Sequence, residues 1–168
     1  MLIYTDGIFD IFHRGHLEFL NNIKLKYPEC QLIIGIINDE DSKKYKREPI
    51  YKEDDRYEII KNLKCVDQII KDAPLIIDES FILNHKIDLI VHGFSHLNDI
   101  EKQSEFFKIP IKLNKFEVLP YYDKISTTQL IEKIKKEGAS NEALLKKYKK
   151  DMEDNKNRVY KKGKVKTN

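Results

Sequence analysis

The feature that most narrows the possible folds is a series of short aliphatic runs that are apolar on both faces. Leu2–Thr5, Leu32–Ile37, Val66–Ile70, Ile87–Val91 and Phe116–Leu119 are short and rich in Ile, Leu or Val, which predicts strands. Ile33-Ile34-Gly35-Ile36-Ile37 shows no polar alternation, as a strand covered on both sides of a parallel sheet should not. Between the runs lie mixed segments that read as helices: His16–Lys26, Glu53–Leu63, Glu79–His85, Ile100–Phe107 and Thr127–Lys136. In the first of these, Leu17, Leu20 and Lys24-Leu25 place apolar residues on one side at helical spacing. Strands alternating with helices predict an α/β domain of the doubly wound, Rossmann-like kind, with a parallel sheet and helices on both faces. A length of 168 residues suits one such domain with an appendage. The reading is a domain over 1–137 and a basic tail over 138–168, partly helical or disordered.

Charge separates these parts. The net charge is +3, but from Asn141 to Asn168 ten Lys/Arg face four Asp/Glu, so the tail carries +6 and the rest −3. The basicity therefore says little about the folded domain. In the tail, Leu144, Leu145, Tyr148 and Met152 form a thin apolar stripe, and the last ten residues hold Val159, Tyr160 and Val165 as their apolar content. So small an apolar payload predicts a solvated tail, with membrane contact the lesser alternative. Lacking aromatic interleaving, the tail gives no ground to expect nucleic acid as a partner. Cys30 and Cys65 stand far apart, in no ligand-like spacing, which argues against a zinc site or a disulfide scaffold. No run approaches the roughly 20 apolar residues of a membrane span. These features together predict a soluble, cytoplasmic chain.

The chemistry concentrates in Asp6-Gly7-Ile8-Phe9-Asp10-Ile11-Phe12-His13-Arg14-Gly15-His16. This segment runs from the first strand into the first helix, at the carboxyl edge of the sheet where open α/β folds hold ligands. A helix N-terminus offers free N–H groups and a partial positive charge, so it attracts phosphate. His13 and His16 are spaced to face one anion, and Gly15 lets the backbone come close to a ligand. Two histidines at a helix start are equally well read as caps. A zinc pair lacks further ligands.

The surrounding residues resemble the opening motif of the cytidylyltransferase family, nearest to the choline-phosphate and ethanolamine-phosphate enzymes, with glycerol-3-phosphate cytidylyltransferase a little further off. The resemblance continues through Asn38-Asp39-Glu40, Lys46, Arg56-Tyr57, Cys65-Val66-Asp67-Gln68-Ile69-Ile70, Ala73-Pro74, Val91-His92-Gly93 and Ile125-Ser126-Thr127-Thr128. It implies transfer of CMP from CTP to a phosphorylated alcohol, with pyrophosphate released and Mg²⁺ bound through the substrate phosphates. It further implies that His13, His16 and Lys46 are catalytic. Gly7, Ile8, Phe9, Asp10, Gly15, His92, Gly93, Ile125, Ser126, Thr127 and Thr128 would bind the nucleotide alongside them. Asp10 would orient His13 or, with Lys44 and Lys46, contact the acceptor. Read without the resemblance, Lys43-Lys44-Tyr45-Lys46-Arg47 is a solvated charge run, and Ser126–Thr128 cap a helix. Family members are commonly homodimers, so a homodimer is implied as well.

The chain departs from the family at three places. Tyr121-Tyr122-Asp123-Lys124 stands where Arg-Thr-x-Gly is usual, Phe94-Ser95-His96 replaces an acidic pair after Gly93, and Leu75 stands where choline-specific members have tryptophan. Lysine does not reproduce the planar fork of the missing arginine. The alternatives left open are an adenylyltransferase of the same fold and a catalytically impaired nucleotide-binding relative.

Overall fold

The computed structural model describes residues 1–94, 103–122, 124–140, 146, 149, 150, 152 and 153. The elements are β1 (Leu2–Gly7), α1 (Arg14–Lys26), β2 (Gln31–Ile36), α2 (Asp39–Tyr45), α3 (Glu53–Lys61) and β3 (Gln68–Lys71), then α4 (Glu79–Asn84), β4 (Leu89–His92), α5 (Lys108–Lys112), β5 (Phe116–Val118) and α6 (Thr127–Ser140). The five strands form one sheet in the order β3-β2-β1-β4-β5, every pair parallel. Successive strands are added on one side from β1 to β3, and then the chain crosses to the other side of β1. The carboxyl ends of β1 and β4 therefore flank the topological switch point, where a doubly wound sheet opens a crevice.

The expected parallel α/β fold is thus what the chain adopts, with the strand ends shifted by a residue or two. Two apolar layers cover the sheet. On one face Phe19, Leu20 and Ile23 of α1 and Tyr57 and Ile60 of α3 pack on Ile34, Ile36 and Val91. On the other, Ile82 of α4 with Ile77, Ile87 and Phe107 pack on Tyr4, Ile33 and Ile90. Side chains of β2 alternate between the two layers, which is why its sequence carries no polar face. Gly35 has a steric reason: a Cβ there would lie 2.9 Å from the Ala73 Cβ and within overlap of the Tyr4 hydroxyl.

Several local expectations are corrected. The buried stripe of α1 is Phe19, Leu20 and Ile23, whereas Leu17 and Leu25 face outward. Helix α2 was not expected, because Asp39–Tyr45 has no apolar periodicity. It forms because Asn38 caps it, accepting from the Asp41 N–H at 2.7 Å, with acidic residues in the first turn and lysines in the last. The helix expected over Ile100–Phe107 lies partly outside the described residues, and the described helix is α5, later in the chain. Helix α6 continues through Gly138, past the expected end of the domain.

By contacts the chain divides into two compact units, Met1–Thr127 and Thr128–Asn168. The second holds most of α6, whose Ile134 is exposed and whose Lys133 pairs with Glu137 at 3.8 Å. Of the expected tail stripe, Leu144, Leu145 and Tyr148 lie outside the described residues, and Met152 is exposed. No helix among the described residues is long and apolar enough to cross a membrane.

Candidate active site

The loop from β1 to α1 is locally strained and internally tied. Phe9 and Ile11 adopt φ of 54° and 44°, a left-handed conformation that is uncommon for an aromatic residue and an outlier for a β-branched one. Each such residue costs on the order of 1–3 kcal/mol and persists only where its surroundings hold it. Here they do. His13 is the N-cap of α1, and its Nδ1 accepts from the Gly15 N–H at 3.0 Å. The Nδ1 of His16 accepts in turn from the His13 N–H at 3.4 Å, which completes a capping box in which both partners are histidines.

The capping role and the chemical role are therefore not rivals. With Nδ1 committed as an acceptor, a neutral imidazole carries its proton on Nε2. Neither Nε2–H has an acceptor among the described residues. The two rings stack with centroids 4.0 Å apart. Burial pushes the His16 pKa down to about 3, reinforced by the neighbouring His13 and by Lys46 against the opposing pull of Asp10. Burial also lowers that of His13. Both histidines are thus neutral hydrogen-bond donors at ordinary pH. Gly15 is required by space: a Cβ there would meet the His13 ring at 2.9 Å and the Ile125 carbonyl oxygen at 3.2 Å.

Asp10 has a different set of partners from those expected. Its carboxylate accepts from the Ile50 N–H at 3.0 Å, the Tyr51 N–H at 2.9 Å and Arg47 Nη2 at 2.7 Å. Burial alone would raise its pKa, but the Tyr51 and Ile50 N–H groups and the Arg47 guanidinium outweigh it and lower the value. The donor to His13 Nδ1 is Gly15, not Asp10. Asp10 thus joins the histidine loop to the segment between α2 and α3.

Lys46 is the C-cap residue of α2 and is exposed, and its charge is felt at His16. Its neighbours in the charge run are all engaged: Lys43 with Glu48 at 3.4 Å, Lys44 with Glu40 at 2.9 Å, Arg47 with Asp10. Among the described residues Lys46 has no ion-pair partner. A buried cation lies nearby. Arg56 is fully buried, donating to the Ile8, Ile37 and Tyr51 carbonyls and to Asp39 at 2.6–3.2 Å. The Glu-Asp-Asp-Arg setting gave no sign of this, since it reads as an exposed helical face; only the run of carbonyls from three other segments explains the burial.

The last expected segment also reaches the loop. The Thr127 hydroxyl donates to the Asp10 carbonyl at 2.9 Å, and the Ile125 carbonyl lies against Gly15. Thr128 begins the second compact unit. Ser126 is half-buried. At the end of β4, His92 Nδ1 lies 3.4 Å from Asp6 Oδ1, and both buried atoms are without a hydrogen-bond partner among the described residues. The His92 ring packs against Phe94 and Phe107. Gly93 faces the rings of Phe19 and Tyr121. Tyr121, at the position of the family's arginine, is a neutral phenol: burial pushes its pKa up to about 12, and its ring meets His16 edge-on at 6.4 Å.

The structure therefore brings Gly7–Phe9, Asp10, His13, Gly15, His16, Lys46, Ile125 and Thr127 together, with His92 and Gly93 across the crevice. Lys44 is held on the surface of α2 by Glu40 and Asp41. Asp6, Arg47 and Arg56 were not among the expected site residues.

Known proteins share this arrangement of sequence and fold. Choline-phosphate cytidylyltransferase 2 of Arabidopsis thaliana is 32% identical over 136 residues, 80% of this chain and 45% of that protein. Ethanolamine-phosphate cytidylyltransferase of Arabidopsis thaliana is 32% identical over 158 residues, 88% of this chain and 37% of that protein. The chain spans less than half the length of these relatives. The crystal structure of the lipopolysaccharide core biosynthesis protein from Thermoplasma volcanium GSS1 superposes with a TM-score of 0.55 at 25% identity, covering 73% of this chain and 96% of that one. The family profile described as Cytidylyltransferase-like matches residues 4–133, so it spans the sheet, the histidine loop and the start of α6. The chain belongs to the cytidylyltransferase-like family.

Proposed function

We propose that this chain is a nucleotidyltransferase that moves CMP from CTP to a phosphorylated alcohol. A phosphate oxygen of the acceptor attacks the α-phosphorus, the bond to the β-phosphate oxygen breaks, and a CDP-alcohol and pyrophosphate leave. The observation that carries this reading is the pair of neutral imidazoles with Nδ1 internally bonded, set at a helix N-terminus near a lysine that has no ion-pair partner among the described residues. Such donors suit charge that grows on phosphate oxygens and cost little reorganisation when it does. No general base is required, because the acceptor phosphate is already ionised.

Lys46 would span the phosphates of both substrates, and the free N–H groups at the start of α1 would add their partial charge. The donor set suits Mg²⁺ arriving on the phosphates: both Nδ1 atoms are occupied and Asp10 is held by Arg47 and two N–H groups. When bound, the ion would neutralise triphosphate charge. One observation favours a second reading, a nucleotide-binding relative with weak turnover. Tyr121 places an uncharged ring where the family carries an arginine.

Pyrophosphate release distinguishes the two. Mg²⁺ with CTP or ATP is combined with phosphocholine, phosphoethanolamine or glycerol 3-phosphate, and His16→Ala serves as control. Turnover with CTP and one acceptor, lost in the control, supports transfer. Nucleotide binding without turnover on any pair supports the second reading, and turnover with ATP alone would replace the cytidylyl donor by an adenylyl one.

A further inference from the structure

Among the described residues Lys46 has no ion-pair partner while the other cations of its run are paired, and its neighbour Arg47 holds Asp10, the most deeply buried of the anions that pair with the run. The side chain of Asp10 is 4% exposed and that of Arg47 33%. Arg47 Nη1 also donates to the Glu48 carbonyl at 3.0 Å, so the guanidinium is fixed at two points. On the other side, the Lys46 and Arg47 N–H groups both donate to the Ser42 carbonyl, at 2.9 and 3.1 Å. Lys46 is therefore clamped between the end of α2 and the Asp10 carboxylate. The same Asp10 sits between Phe9 and Ile11, the two strained residues of the histidine loop, and its carbonyl is held by Thr127. A single residue thus ties the histidine loop, the Lys46 segment and the start of α6.

The geometry points to Arg47 as a positioning residue that acts through its ion pair with Asp10 to hold Lys46 in register with the His13–His16 pair. This role rests on the proposed transfer reaction. Without the guanidinium, Asp10 keeps its two N–H donors but loses its counter-charge, and the Lys46 segment keeps only backbone ties to the loop. A charge-assisted bond between a nearly buried carboxylate and a planar fork is among the stronger polar contacts available. A displacement of about 1 Å in a phosphate-binding cation is enough to cost up to roughly a hundred-fold in rate.

The test uses the full chain as wild type, Arg47→Ala, Arg47→Lys, Lys46→Ala and the Lys46→Ala/Arg47→Ala double variant. Amide hydrogen exchange at Ile50 and Tyr51, whose N–H groups rest on Asp10, reads the latch without any substrate. Pyrophosphate release reads its consequence. Arg47→Ala should speed exchange at both amides and lower kcat about ten- to a hundred-fold, more than it raises the nucleotide KM. Arg47→Lys should recover part of the loss. The double variant should turn over no more slowly than Lys46→Ala, because one residue acts through the other.

Unchanged exchange in Arg47→Ala overturns the proposal. So does multiplication of the two single losses in the double variant, or a loss confined to KM, which assigns Arg47 its own contact with substrate. Should Arg47→Ala fold poorly, Arg47→Gln keeps a planar hydrogen-bonding head without the charge and carries the same comparisons. Absence of turnover in the wild type tells against the reaction itself, and exchange at Ile50 and Tyr51 then decides the role of Arg47.

Discussion

The loop after β1 and the polar pair across β1 and β4 lie at the same sheet edge, but their polar groups are treated differently. In the loop, both histidines accept from backbone N–H groups, Asp10 accepts from two N–H groups and a guanidinium, and Arg56 ties the Ile8 carbonyl from below. At the pair, Asp6 Oδ1 and His92 Nδ1 approach to 3.4 Å and neither is satisfied. Buried polar atoms without partners are uncommon and each calls for a cause. The loop is tied within itself, with backbone strain at Phe9 and Ile11 held in place by the surrounding bonds. The pair has no such network of bonds among the described residues. The sheet edge thus has one preformed wall, fixed by its own bonds, and one unfinished wall, which is not.

The most severe way to break that contrast is to remove the support beneath the preformed wall. Arg56→Ala leaves the Ile8, Ile37 and Tyr51 carbonyls and Asp39 without their donor, and should cost about 3–5 kcal/mol in urea unfolding. Next comes His16→Ala, which should lower kcat/KM about a hundred- to a thousand-fold while losing only the weak capping contact to the His13 N–H. If the melting temperature falls as far as in Arg56→Ala, the histidine is a structural cap first, and the preformed wall owes less to chemistry than proposed.

Acid should sharpen the contrast further. His13, His16 and Asp10 all bind their proton less readily in the folded chain than in the unfolded one. As pH falls the unfolded chain takes up protons first, so folding loses stability. For the histidines the loss begins near the ordinary imidazole value of 6.5 and for His16 continues to about 3, while Asp10 adds its share below its ordinary 3.8. Denaturant titration at a series of pH values should show this slope in the wild type and a shallower one in His16→Ala. The smallest effect is expected at the unfinished wall. Asp6→Asn removes a charge that has no full partner, so stability should change by less than about 1 kcal/mol. A large loss there would mean that the Asp6–His92 contact is already complete in solution.

The same two walls show what a sequence makes legible. Strand β2 was the most readable because burial on both faces removes polar residues at every position from Leu32 to Ile36, a local and repeated signal. The capped helix start was readable because His13, Gly15 and His16 lie within one turn of each other. Helix α2 was missed because it stands on a cap and on end charges, with no apolar period to betray it. Arg56 was missed as a support for a similar reason: a charged neighbourhood looks the same whether its arginine faces water or three carbonyls from other segments.

The sequence by itself determined the parallel α/β fold and the position of the histidine loop at its carboxyl edge. Both follow from periodicity and short-range spacing, which survive without knowledge of what lies opposite. Only the tertiary structure decided which cation of Lys43, Lys44, Lys46 and Arg47 is left without an ion-pair partner among the described residues. Asp10 reaches Arg47 from 37 positions away, and the acidic side chains of α2 and Glu48 take Lys44 and Lys43. Pairing of charges depends on which side chains meet in space, and composition along the chain is the same whichever way they meet.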